Sequence, residues 1–104
     1  MEITLFTKDG CQYCDMMQSA IMKESSVPNG ATFSIVEIDE DNIDCYKSEF
    51  VEASGSQSIG FPITKITTVI DDVRCLDYII GYSVKQLKDI MQRRANCVSG
   101  GVTA

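Results

Sequence analysis

Hydrophobic residues change their spacing several times along this chain, and each change marks an element. Residues 2–7 alternate well enough for a strand, and Lys8-Asp9-Gly10 then breaks the pattern. From 12 to 25 the apolar side chains Cys14, Met17, Ala20 and Ile21 recur at helical spacing until Val27-Pro28-Asn29-Gly30 ends the run. Residues 33–38, Phe-Ser-Ile-Val-Glu-Ile, are rich in β-branched and aromatic side chains, which predicts a strand with two largely covered faces. Strand, helix, strand implies a parallel pair with a right-handed crossover. That places Cys11 at the carboxyl end of the first strand, where α/β sheets expose their ligands.

A second helix is expected over 41–53, with Ile43, Tyr46, Phe50 and Ala53 along one stripe and Asp41 as its cap. Ser54-Gly55-Ser56-Gln57-Ser58 reads as loop and leads to Ile59-Gly60-Phe61-Pro62. Residues 63–70 and 73–80 are strands around Asp71-Asp72, a spacing that predicts an antiparallel hairpin. A last helix follows over 84–95, with Val84, Leu87, Ile90 and Met91 on one face. Ser83 and Gln86 form a capping-box pattern at its start, and Tyr82 is placed to staple onto Leu87. Beyond Asn96 no period is left. The expectation is therefore one α/β domain over 1–96 in the order βαβαββα, with 97–104 a flexible tail.

Composition narrows the function. The 104 residues carry nine basic and fifteen acidic side chains, a formal charge of −6, which argues against nucleic acid and anionic membrane surfaces as partners. No apolar run approaches the roughly 18–20 residues that cross a bilayer, and the start lacks the pattern of a secretory leader. A cytoplasmic monomer is the expectation. Five cysteines with one close pair, Cys11 and Cys14, make a poor disulfide framework. In a reducing compartment such a pair is more often catalytic or metal-binding than structural. Cys75 falls in a strand pattern as a small buried hydrophobe, Cys45 lies off its helix stripe and is expected to be exposed, and the role of Cys97 stays open.

The chemistry follows from position. Cys11-Gln12-Tyr13-Cys14 spans the first turn of a helix, so the two sulfurs can form a disulfide. The helix N-terminus carries about half a positive charge, which favours a thiolate at Cys11. Lys8, three residues earlier, adds a cation beside the same site. The chain contains no histidine, which excludes a Cys-His mechanism. Cys11 is then the nucleophile on a substrate disulfide and Cys14 the resolving thiol, with no tightly bound cofactor required. Pro62 precedes an extended segment where either peptide isomer fits. Gly81 and Ser83 have a sufficient role in ending a strand and capping a helix.

Together the order βαβαββα, the CxxC after strand one, Phe61-Pro62 before strand three and Gly81 before the last helix resemble the thioredoxin superfamily over nearly the whole chain. The resemblance implies a thioredoxin-like fold, a central mixed sheet with helices on both faces. Cys11-Gln12-Tyr13-Cys14 is similar to the Cys-Pro-Tyr-Cys of glutaredoxins, and Lys8 stands at the position of their common lysine. Thioredoxins place Trp before Cys-Gly-Pro-Cys, whereas Gly10 stands here and the chain has no tryptophan. The glutaredoxin likeness implies that Phe61 and a cis Pro62 pair with glutathione or a peptide, and that Lys8 and Tyr13 help to hold glutathione. Gly81, Tyr82 and Ser83 would complete that site. Glutathione is implied as reductant or co-substrate, and disulfide-containing proteins, ribonucleotide reductase among them, as substrates. The chain departs from the glutaredoxin pattern in reading Gly60-Phe61-Pro62 for Thr-Val-Pro and in lacking the second glycine and the aspartate before the last helix. Three further readings compete: a thioredoxin-like donor independent of glutathione, a metal or iron–sulfur carrier using Cys11 as a ligand, and a thioredoxin-fold binding module with an incidental dithiol, hinted at by the altered Gly81-Tyr82-Ser83 segment.

Overall fold

The computed structural model describes residues 1–56 and 59–103. Its elements are β1 (Glu2–Thr7), α1 (Gln12–Lys23), β2 (Thr32–Glu37), α2 (Ile43–Ser54), β3 (Ile63–Ile70), β4 (Val73–Ile80) and α3 (Val84–Thr103). The order is the expected βαβαββα. The four strands form one sheet in the order β2-β1-β3-β4, in which β1 runs parallel to β2 and antiparallel to β3, and β4 runs antiparallel to β3. Among the described residues no helix is long and apolar enough to cross a membrane.

Alternation along β1 sorts the core into two layers, since successive strand residues point to opposite faces. Ile3 and Leu5 join Met17 and Ile21 of α1, Leu87, Ile90 and Met91 of α3, Ile66 of β3 and Ile79 of β4. Phe6 points the other way, into a cluster with Ile38, Phe50 of α2 and Ile63 of β3. The sheet thus carries α1 and α3 on one face and α2 on the other. Thr64 and Thr68 of β3 are buried, and neither hydroxyl has a hydrogen-bond partner among the described residues.

Several local expectations are corrected. β2 is an edge strand, and Ile35 is 45% exposed, because β3 inserts against β1 and leaves only one neighbour for β2. Its run of β-branched residues therefore does not mark two covered faces. Cys75 is half-buried rather than enclosed, since β4 is the other edge. Cys45 is exposed as expected. The start of α2 is organised by Asp39, not Asp41: the Asp39 carboxylate accepts from the Asp41 and Asn42 N–H groups, and Asn42 Oδ1 accepts from Asp39 N–H at 2.8 Å. This reciprocal pair does the work of a capping box. α3 continues past the Ala95 where periodicity stops, to Thr103, through two glycines that each cost about 1 kcal/mol in a helix relative to alanine. The β3–β4 hairpin turns on Asp71 and Asp72, both at positive φ, the two-residue geometry that matches strand twist.

Candidate functional site

The β1 strand delivers the chain to the site. After Thr7 it turns at Gly10, whose φ of 71° is one that glycine adopts freely, and enters α1 at Cys11. Cys11 is itself the N-cap, with extended backbone angles, and its Sγ accepts the Cys14 N–H at 3.1 Å. One of the unpaired donors of the helix start is therefore aimed at the sulfur, where it stabilises negative charge. Cys11 and Cys14 are joined as a disulfide, their Cα atoms 5.2 Å apart. Cys14 is buried, while Cys11 is reachable from solvent.

Across from this turn lies the loop before β3. The Phe61-Pro62 peptide bond is cis, which settles the isomer that the sequence left open. Pro62 is buried, and its carbonyl accepts the Gly81 N–H at 2.7 Å, with Gly81 at a φ of 87°. Neither the N–H nor the C=O of Phe61 has a backbone partner among the described residues. The Lys8 Nζ stands 5.9 Å from the Phe61 ring centroid, within cation–π range. Tyr13 is 60% exposed, and its ring lies nearly parallel to that of Tyr82 at 6.5 Å between centroids. Ser83 caps α3, its Oγ accepting the Gln86 N–H at 3.2 Å.

All nine sequence-predicted residues therefore fall in one region. Lys8, Cys11 and Cys14 line a groove of about 520 Å3. Tyr13 and Tyr82 stack beside it, Phe61 sits against Lys8, and Pro62 is tied to Gly81 one residue before Tyr82 and two before Ser83. The groove also contains three carboxylates that sequence reasoning missed, Asp9, Asp15 and Glu37. Asp15 could have been found, since it lies one helical turn from Cys11. Glu37 could not, because only the parallel register of β2 with β1 brings it opposite Thr7. Among the described residues no three His, Cys, Asp or Glu side chains converge to hold a metal ion, so Cys45 and Cys75 do not join the Cys11–Cys14 pair.

No family model matches the sequence, and no curated protein matches it either. Among solved structures the chain is similar to the crystal structure of a glutaredoxin from Archaeoglobus fulgidus, at 16% sequence identity and a TM-score of 0.54. The likeness covers 84% of this chain and 82% of that one. At this identity it shows the fold, which is thioredoxin-like, with a mixed sheet and helices on both faces.

Proposed function

We propose that this chain is a dithiol thiol–disulfide oxidoreductase of glutaredoxin type. The observation that carries the reading is the Cys11–Cys14 disulfide itself, formed between a reachable cysteine at a helix N-cap and a buried one a single turn further on. That asymmetry supports Cys11 as the sulfur that meets an incoming disulfide and Cys14 as the resolving thiol.

In the reduced protein the Cys11 thiolate attacks one sulfur of the substrate disulfide. The substrate S–S bond breaks, the departing thiolate takes up a proton, and a mixed disulfide forms. Cys14 then loses its proton and attacks Cys11 Sγ, releasing the second substrate thiol. Two electrons have passed to the substrate, and the protein is left as the Cys11–Cys14 disulfide. Two molecules of glutathione, becoming glutathione disulfide, are the proposed source of the electrons that restore the dithiol. A reducing, cytoplasmic setting is the compartment in which this cycle turns. The N–H and C=O of Phe61, without a backbone partner among the described residues, support backbone pairing with such a ligand, and the N–H groups at the start of α3 offer a seat for a carboxylate.

The test has two arms. Cys11→Ser abolishes reduction of disulfide substrates, whereas Cys14→Ser keeps activity toward glutathione mixed disulfides, which need no resolving thiol. Equilibration in glutathione buffers, trapping by alkylation and mass spectrometry then gives the potential. A value of roughly −200 to −230 mV supports glutathione coupling, and one near about −270 mV supports a thioredoxin-like donor instead. If no reversible Cys11–Cys14 disulfide forms at any poise, the reading is wrong.

A further inference from the structure

A second groove, of about 540 Å3, runs between α1 and α3. Met16, Ser19 and Ala20 line it from α1, Ser25 from the turn after it, Tyr82 from the turn before α3, and Val84 as the first residue of α3. Met16 and Tyr82 are 39% and 40% exposed, so the groove presents apolar surface to solvent. Tyr82 also stacks on Tyr13, two residues after Cys11, so this groove ends near the Cys11–Cys14 turn.

Its charge is opposite to that of the rest of the protein. Lys23 and Lys88 line it, and neither forms an ion pair among the described residues. The single acidic residue there, Glu24, directs its carboxylate to Ser26, accepting from the N–H at 3.4 Å and from Oγ at 3.1 Å. The groove beside Cys11 instead sets one lysine against Asp9, Asp15 and Glu37. In a chain of net charge −6, two lysines without an ion pair among the described residues, in a groove that also holds Met16, Ala20, Tyr82 and Val84, form a local site for negative charge.

We propose that the α1–α3 groove docks the polypeptide flanking the reacting disulfide of a protein substrate, selecting an apolar residue near the substrate cysteine and an acidic residue further out. The inference rests on the oxidoreductase reading and specifies its substrate class. A helix rises about 1.5 Å per residue, which puts Met16 about 7.5 Å and Lys23 about 18 Å along α1 from Cys11. An extended chain advances about 3.3 Å per residue, so the apolar residue falls about two positions, and the acidic residue about five, from the substrate cysteine. Glutathione, with one residue on each side of its cysteine, is too short to reach the lysines. The groove thereby separates polypeptide from glutathione as substrate.

The experiment is a single turnover between pre-reduced protein and symmetrical peptide disulfides, with freed peptide thiol quantified after acid quench. Each peptide carries Phe two positions and Glu five positions from its cysteine, on the amino side in one and the carboxyl side in the other. Matched peptides carry Lys for Glu, and oxidised glutathione is the control. In at least one placement the Glu peptide is expected to react about tenfold faster than the Lys peptide, from two exposed charge pairs gained and two repulsions avoided. Lys23→Glu with Lys88→Glu reverses that order and leaves the rate with oxidised glutathione unchanged. Equal rates for Glu and Lys peptides in both placements, or a preference that survives charge reversal, overturns the docking proposal while oxidised glutathione is still reduced. If the wild-type dithiol reduces neither peptide nor oxidised glutathione, the oxidoreductase reading itself fails.

Discussion

Replacing Glu49 by Gln removes the charge through which α2 meets Lys65 of β3 and Tyr78 of β4. Glu49 Oε2 accepts from Lys65 Nζ at 2.8 Å and also from the Tyr78 hydroxyl, and the side chains of Glu49 and Lys65 are each 29% exposed. An ion pair at this level of exposure contributes up to about 1 kcal/mol. Converting the Tyr78 bond from charge-assisted to neutral removes about 1 kcal/mol more, so Glu49→Gln should cost about 2 kcal/mol at neutral pH. The pH dependence follows from the same contacts. Burial pushes the Glu49 carboxyl up, but the hydrogen bonds from Lys65 and Tyr78 and the Lys65 charge outweigh it, holding the group below its ordinary 4.5. A carboxyl depressed on folding contributes stability that is fully present above its unfolded value and is lost as pH falls through its folded value. Burial, the hydrogen bond to Glu49, its charge and that of Glu52 push the Tyr78 phenol well above its ordinary 10.0. That contribution is present below pH 10 and is lost as pH rises through the folded value. Urea unfolding of the oxidised protein at several pH values reads both. The gap between wild type and Glu49→Gln should be widest near neutrality and close on acidification below about pH 4.5. A gap under about 0.5 kcal/mol at pH 7, or one that persists unchanged in acid, refutes the reasoning.

Three further outcomes are expected from equilibrium unfolding. Thr64→Val should stabilise the protein by about 1 kcal/mol, because it replaces a fully buried hydroxyl that has no partner with a methyl group of similar size; destabilisation would mean that the hydroxyl is bonded after all. Phe50→Ala should cost about 3–5 kcal/mol, since Phe50 is fully buried and its ring meets those of Phe6, Tyr46 and Phe61. Gly81→Ala should cost about 1–2 kcal/mol from its positive φ alone, because no atom lies within 4 Å of where the added methyl would sit. A much larger loss would point to a clash that the geometry does not contain.

Features encoded by neighbours in sequence were readable, and those that depend on which strand lies beside which were not. The stripe of Cys14, Met17 and Ile21 is local and lies buried on α1, and the Asp71-Asp72 turn announces the β3–β4 hairpin. Where Cys11, Lys8, Tyr13, Phe61 and Ser83 stand relative to the strands and helices was legible, because helix starts and turn residues fix where the chain leaves its regular elements. The exposure of Ile35 was hidden, because a run of β-branched residues looks the same in a central strand and in one placed at the edge by the insertion of β3. Glu37 and Met16 were missed for the same reason: each becomes part of a groove only through the packing of another element against its own. At α2 the error was one of chemistry. Asp41, Asn42 and Asp39 are all good caps by type, and only the turn after Glu37 shows that Asp39 takes the N–H groups.

The ring of Phe61 rests edge-on against Phe50, with 5.9 Å between centroids, and Phe50 in turn packs on Phe6 in the sheet. The next residue along, Pro62, is anchored by its carbonyl to Gly81. The N–H and C=O of Phe61, which have no backbone partner among the described residues, are thus mounted on the hydrophobic core. Ordering a residue's backbone costs about 1–2 kcal/mol, and for this stretch the loss was incurred when the chain folded. Under the proposed function, a partner strand pairing with Phe61 would find a donor and an acceptor already fixed in direction, and the ordering left to association would fall on the partner alone.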